Sequence, residues 1–137
     1  MKIRQFAERF GIREMYVFGS RAEEIASRVR GQRVIPGLPT SDVDIGVIPE
    51  RGRVLGIAEK VQLAIALEDL LEVSRVDLLV IPEVDIFLAA EIIRGELLYC
   101  RDLDEQAETE LHILAKAGDL AYFERERIEG ILAGGSG

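Results

Sequence analysis

Short apolar runs and longer amphipathic stretches alternate along the chain. The short runs are bounded by a glycine or a proline, which predicts strands at residues 13–18, 43–48, 76–81 and 96–99, the last at a sheet edge. Apolar residues at helical spacing predict helices at residues 2–11, 54–71, 84–94 and 102 to about 132. This order is typical of an α/β (α+β) domain with a small mixed β-sheet flanked by helices, which we expect on one face of the sheet.

The helix at 54–71 has the clearest pattern, and its predicted buried stripe comprises Val54, Ile57, Ala58, Val61, Ala64, Ile65 and Leu71. A further short helix is expected after Ser20, which is a candidate N-cap residue. The apolar residues near the C-terminus are consistent with either core packing or a partner-docking face, and they comprise Tyr122, Phe123, Ile128 and Ile131.

The chain has 137 residues and a net charge of −8. We expect a single domain at 1–133 and a flexible tail at 134–137. The acidic balance argues against direct binding of DNA or RNA, because such proteins neutralise phosphates with basic residues. Cys100 and His112 are the only residues of their kinds, which disfavours a cysteine- or histidine-based metal site. The sequence shows neither a signal peptide nor a membrane span, so we predict a cytoplasmic protein.

Asp42 and Asp44 lie two residues apart in a predicted strand. Side chains alternate along a strand, so the two carboxylates share a face about 6–7 Å apart. Carboxylates held this close repel each other, and a cation between them removes the repulsion. Oxygen ligands of this kind suit Mg²⁺, which keeps water and substrate phosphates in its other positions.

Two further segments complete a candidate site. Gly19-Ser20 closes the first strand at a helix start, where the backbone can approach a phosphate closely. Ser20 would bind a phosphate and Arg21 would add positive charge. Asp77 is an isolated carboxylate in an apolar strand, which could bind a second metal ion or accept a proton. The set predicts a phosphoryl-transfer centre with Asp42, Asp44 and Asp77 as the catalytic and metal-binding residues.

Three segments, Gly19 to Ala22, Ser41 to Asp44 and Val76 to Leu79, together resemble the nucleotidyltransferase superfamily typified by DNA polymerase beta. The small size is similar to that of its minimal nucleotidyltransferases (MNT). The resemblance implies a polymerase beta palm-like fold and a transfer of AMP from ATP with two Mg²⁺ ions. Nucleotide contacts would come from Gly19, Ser20, Arg21 and Ser41.

Many minimal members are antitoxins of HEPN-domain ribonuclease toxins, and they transfer AMP to a toxin tyrosine. The resemblance therefore implies a HEPN toxin as the partner and acceptor. Two alternatives stay open, namely neutralisation by binding with little catalysis and transfer to a small molecule. The oligomeric state, including a homo-oligomer, also stays open. The chain departs from the family pattern in the long spacing between Ser20 and Ser41, and in Glu23-Glu24, where many members carry Arg-Gly.

Overall fold

The computed structural model describes residues 3–31 and 42–134, with side chains up to residue 131. Its elements in chain order are α1 (Ile3–Phe10), β1 (Ile12–Phe18), α2 (Ala22–Val29), β2 (Val43–Pro49), α3 (Ile57–Leu71), β3 (Val76–Val80), α4 (Ile86–Ile93), β4 (Glu96–Cys100) and α5 (Leu103–Gly134). A 3₁₀ turn at Ile81–Glu83 joins β3 to α4. None of the helices within the described ranges is long and apolar enough to cross a membrane.

The described strands form one mixed sheet in the order β3-β2-β1-β4. β1 pairs antiparallel with both of its neighbours, and β2 pairs parallel with β3. β1 and β2 are buried over most of their length, which explains why they read as nearly continuous apolar runs. The predicted α/β class is confirmed, and β4 lies at an edge as predicted.

Helices pack against both faces of the sheet, so the prediction that they cover one face is wrong. One core contains Val43, Ile45 and Val47 of β2 together with residues of α1, α2 and α3. The second core contains Ile48 together with residues of α4 and α5. Because strand side chains alternate, each strand contributes to both cores. The face of the sheet covered by α4 and α5 carries the candidate site.

The predicted buried stripe of α3 is largely wrong. The helix begins at Ile57 and buries Leu63, Leu67 and Leu71, which follow one another at i+4 spacing. Val54, Ile57, Val61 and Ile65 are instead exposed by half or more. Apolar side chains project from most sides of this helix, so their spacing alone did not indicate which side faces the sheet. Leu71 is the one member of the predicted stripe that is fully buried.

The second half of α5 extends beyond the core. Ile113 and Ala117 pack in the second core, and the helix continues without a break past Gly118. Tyr122, Phe123, Ile128 and Ile131 are exposed, which excludes the core alternative for these residues. The helix includes Gly134, and the remainder of the predicted tail, 135–137, lies outside the described residues.

Candidate active site

The candidate carboxylates lie at one end of the sheet, where β2 and β3 begin. Asp44 of β2 is the direct register partner of Asp77 of β3. Neighbouring strands are about 4.8 Å apart, so these two side chains leave adjacent backbones on the same face. Asp42 precedes β2 and shares this face by alternation. Gly46, two residues beyond Asp44, abuts Ile92 of α4, which identifies the face as the one covered by α4.

The carboxyl of Asp44 has a perturbed pKa. Its pKa is raised above the ordinary value, first by partial burial and then by the negative charges of Asp77, Asp42 and Glu91. Glu91 lies in α4 and was not predicted from the sequence as part of the site. The raised pKa means that ionised Asp44 lacks sufficient positive charge around it, which is the electrostatic condition that a bound cation relieves.

The raised pKa of Asp44 predicts how the stability of the metal-free protein depends on pH. The folded carboxyl binds its proton more tightly than the unfolded one, whose pKa is about 3.9. The resulting stabilisation is complete below the unfolded pKa and is lost as the pH rises through the folded pKa. We therefore expect Asp44→Asn to raise the melting temperature at pH 7 and to flatten the decline above pH 4. Melting curves recorded with a chelator test this, and parallel pH profiles for the two proteins would contradict it.

Gly19 brings the β1–α2 turn against Asp44. Its φ is +81°, and a Cβ atom at this position would lie 2.5 Å from Asp44 Oδ2. Phe18, the preceding residue, is the register partner of Asp44 in β1. Only glycine combines this backbone conformation with so close an approach. Gly19 and the exposed Ser20 line a cleft of about 380 Å³ together with the C-terminal part of α4. The glycine turn and the carboxylates are therefore adjacent.

The local structure at Ser20 and Arg21 differs from the prediction in its capping residue. Arg21 occupies the N-cap position of α2 without a side-chain capping bond, so the prediction of Ser20 as the N-cap is wrong. Arg21 is only 8% exposed and donates to Glu24 at 2.7 and 3.2 Å. Arg28 also donates to Glu24, at 2.9 Å. These ion pairs compensate the charge of Arg21 and do not favour direct phosphate binding. Ser41 lies outside the described residues.

Arg94 is a basic residue of the same cleft that the sequence did not single out. It is exposed at the C-terminal end of α4 and forms no ion pair with any residue in the described ranges. Gly95 allows the end of α4 to approach β1 closely, because a Cβ on Gly95 would collide with the carbonyl oxygen of Val17 and the Cβ of Phe18. The sequence signal was the Arg94-Gly95 pair at a helix end, but its proximity to Gly19 depends on the packing of α4 on β1.

A second cavity of about 490 Å³ lies at the opposite end of the sheet. It is lined by Arg13 at the start of β1, by Ile48 near the far end of β2 and by Ile81 directly after β3. Asp44, Asp77 and Gly19 all lie at the other end of these strands. The candidate active site therefore lies at the end of the sheet next to the smaller cleft, whose lining includes Gly19 but none of the three candidate carboxylates. His112 lines the larger cavity, away from the carboxylates.

The donor set suits Mg²⁺ in charge and type, although the side chains do not converge as a finished metal site. No cluster of three or more His, Cys, Asp or Glu side chains in the described ranges is arranged to hold a metal ion. Asp42 and Asp77 instead contact the guanidinium of Arg75, at 3.9 and 3.3 Å. Asp44 carries the perturbed pKa described above. Three carboxylates at one sheet end, beside the Gly19 turn, match the oxygen ligands that Mg²⁺ takes in nucleotide enzymes.

Comparison with solved structures shows similar folds over nearly the whole chain. A structure of a mutant of the toxin–antitoxin MntA-HpeT matches with a TM-score of 0.67 and 18% identity, covering 96% of both chains. A toxin–antitoxin structure with AMP-PNP matches at 0.64 and 19% identity, again over 96% of both. A structure described as a tri-AMPylated Shewanella oneidensis HEPN toxin in complex with MNT antitoxin contains a chain that matches with a TM-score of 0.64 and 17% identity. The match covers 96% of this chain and 93% of that one.

Comparison with family models identifies the family itself. No curated protein matches the chain. A family model described as "Polymerase beta, Nucleotidyltransferase" matches residues 1–104. This range includes β1 to β4, the turn at Gly19 and all three candidate carboxylates. The match covers well over half of the chain. The chain therefore belongs to the polymerase beta family of nucleotidyltransferases.

Proposed function

We propose that this protein is a minimal nucleotidyltransferase that transfers AMP from Mg-ATP to a hydroxyl of a HEPN-domain toxin, with a tyrosine as the acceptor. The observation that carries the proposal is the register pairing of Asp44 with Asp77 beside Gly19. Support for the partner comes from similarly folded proteins, one described with AMP-PNP and one described as an MNT antitoxin bound to a tri-AMPylated HEPN toxin. The protein would act in the cytoplasm as the antitoxin of such a pair.

The proposed reaction replaces the phosphoanhydride bond between the α- and β-phosphates of ATP with a phosphate ester bond to the acceptor. The acceptor hydroxyl oxygen forms a bond to the α-phosphorus of ATP, the bond from the α-phosphorus to the bridging oxygen breaks, and pyrophosphate leaves. The hydroxyl proton passes to a carboxylate of the cluster. Divalent metal, when bound, neutralises phosphate charge and aligns the reacting oxygens. Asp42, Asp44 and Asp77 would hold two Mg²⁺ ions, and Asp77 would also accept the proton.

The polar groups of the cleft would bind the triphosphate of ATP. Gly19 allows the backbone to approach the phosphates, and the hydroxyl of Ser20 donates to a phosphate oxygen. The described lining of the cleft contains the carboxylates Glu23, Glu91 and Glu96, which repel a triphosphate. Arg94 is the guanidinium among the same lining residues. We therefore assign to Arg94 the phosphate-binding role that the sequence suggested for Arg21.

This assignment predicts that Arg94→Gln weakens binding of Mg-ATP about 10-fold or more, because a charge-assisted hydrogen bond contributes roughly 1.5–3 kcal/mol. Binding of adenosine should change little, since adenosine has no phosphate. Arg94→Lys should recover part of the loss. Calorimetric titration of each variant with both ligands provides the test, with Arg101→Gln as a control of equal charge change. Equal losses for ATP and adenosine would reject a phosphate-specific role.

The position of the label in ATP tests the reaction class. The protein, Mg²⁺ and a HEPN-domain protein, if one is encoded beside it, are incubated with ATP labelled at either the α or the γ phosphorus. Nucleotidyl transfer predicts that the α label appears on a tyrosine of the partner and that the γ label leaves as pyrophosphate. Incorporation of the γ label would indicate phosphoryl transfer instead, and absence of both labels from the partner would reject it as the acceptor.

The exposed apolar residues of α5 favour one alternative, in which the protein neutralises its toxin mainly by binding. Tyr122 and Phe123 are 56% and 65% exposed, and Ile128 and Ile131 are also exposed. A growth assay with Asp42→Ala separates the two functions. Loss of protection indicates that catalysis is required, whereas full protection by Asp42→Ala indicates that binding suffices.

A further inference from the structure

Arg75 lies directly beside the outer carboxylates of the candidate active site. It precedes β3, and its carbonyl oxygen accepts a hydrogen bond from the backbone N–H of Val43 at 3.0 Å. Because Val43 is the register partner of Val76, this bond places Arg75 opposite Asp42. The backbone of Arg75 is therefore anchored to β2 at the point where the two parallel strands begin.

The guanidinium of Arg75 contacts two carboxylates at once. Its Nε lies 3.9 Å from Asp42 Oδ2 and its Nη2 lies 3.3 Å from Asp77 Oδ1. Asp44, which is less exposed than Asp42, has no ion pair with a described residue. Arg75 thus partly neutralises the two outer carboxylates and leaves the inner one uncompensated.

A metal ion and Arg75 need the same carboxylate oxygens. Two cations cannot share these oxygens without repulsion, so binding of one disfavours the other. The side chain of Arg75 is 67% exposed, and exposed ion pairs of this kind contribute about 1 kcal/mol or less. Arg75 can therefore leave the carboxylates at small cost.

We propose that Arg75 is a competing counter-ion that holds Asp42 and Asp77 when no metal is bound and is displaced when a divalent cation binds. This proposal rests on the proposed function, since it requires the carboxylates to be the metal ligands. Arg75 acts through the carboxylates of Asp42 and Asp77 and does not itself contact the substrate or the metal. It stabilises a cluster of like charges in the metal-free protein and lowers the affinity of the cluster for metal.

Binding of Mn²⁺ in the absence of nucleotide tests the competition, measured by electron paramagnetic resonance of the free ion. Arg75→Gln is expected to bind Mn²⁺ about 3- to 10-fold more tightly, because a competing and repelling charge is removed. Arg75→Lys retains the charge and should stay nearer to the unmodified protein. Arg101→Gln is the matched control, because Arg101 is also exposed and pairs with Glu50 and Glu105 at the far end of the sheet. Its affinity should be unchanged.

Thermal unfolding gives a second readout that does not depend on activity. With a chelator present, Arg75→Gln should melt at a lower temperature than the unmodified protein, since Asp42 and Asp77 lose their counter-ion. Saturating Mn²⁺ should remove or reverse this difference, whereas a merely structural role would leave it constant.

The outcomes separate this inference from the proposed function. If Mn²⁺ binds in a manner that requires Asp42 and Asp44, but Arg75→Gln binds it no more tightly, the competition does not exist and the proposed function stands. If the unmodified protein binds no Mn²⁺ with or without ATP, the metal site itself is wrong and both proposals fall.

Discussion

Replacing Asp42 or Asp44 with asparagine is expected to reduce nucleotidyl transfer by about 10³-fold or more. A metal ion supplies several kcal/mol of charge stabilisation to the transition state, and each 1.36 kcal/mol corresponds to a factor of about ten in rate. Asparagine keeps the size of the side chain but removes the charge that holds the metal. Single-turnover transfer of the α label from ATP measures the effect on the chemical step.

The loss of activity in the Asp44 variant should coincide with a gain in stability of the metal-free protein. Asp44 is partly buried among Asp42, Asp77 and Glu91, and its raised pKa shows that its charge is unfavourable there. An active site that keeps such a group sacrifices stability for function. Asp69→Asn provides the control, because Asp69 is exposed on α3 and the charge change is identical. Transfer by Asp44→Asn at the rate of this control would refute the assigned role.

Gly19→Ala is expected to lower activity by at least about 10²-fold and to destabilise the fold by roughly 1–3 kcal/mol, in keeping with a strained backbone residue at a functional site. Two effects combine in this variant. The φ of +81° is unfavourable for alanine, and the new Cβ would displace the carboxylate of Asp44, which lies 2.5 Å from it. Activity and chemical denaturation should be measured together, so that a loss of folding is not mistaken for a loss of catalysis.

Gly52→Ala separates these two effects. Gly52 has a φ of +79°, but a Cβ there would meet nothing within 4 Å. It therefore carries the backbone penalty without the collision, and we expect destabilisation of similar origin with full activity per folded molecule. If Gly19→Ala likewise retains full activity per folded molecule, the close approach between Gly19 and Asp44 has no catalytic role.

The sequence predicted the elements and the candidate residues because both depend on local patterns. Alternation in the Asp42–Asp44 segment and the bounding glycines and prolines are readable within a few residues. The pairing of Asp44 with Asp77 could not be derived in this way. Strand order and register arise from contacts between residues far apart in the chain, and a shift of one residue would have moved Asp77 to the other face.

The failures have a common physical origin in tertiary packing. Arg21 was expected near phosphate, which stays a prediction, and its ion pair with Glu24, one helical turn further along the chain, was not predicted. The α3 stripe was wrong because two apolar faces compete on one helix, and contact with the sheet selects the one with Leu63 and Leu67. Arg75 and Arg94 were missed because their proximity to the site depends on the packing of β3 and α4, which a local pattern such as the Arg94-Gly95 pair does not reveal.

The most direct measurement is a crystal structure with Mn²⁺ and a non-hydrolysable ATP analogue, using the anomalous signal of manganese to locate the ions. We expect manganese peaks about 2.0–2.3 Å from carboxylate oxygens of Asp42 and Asp44, with Asp77 bound to one of the ions or directly beside it. We also expect the triphosphate to lie against Gly19 and Ser20, and the guanidinium of Arg75 to have moved away from the carboxylates. Manganese and nucleotide bound elsewhere, for example in the larger cavity beside Arg13, would contradict this prediction.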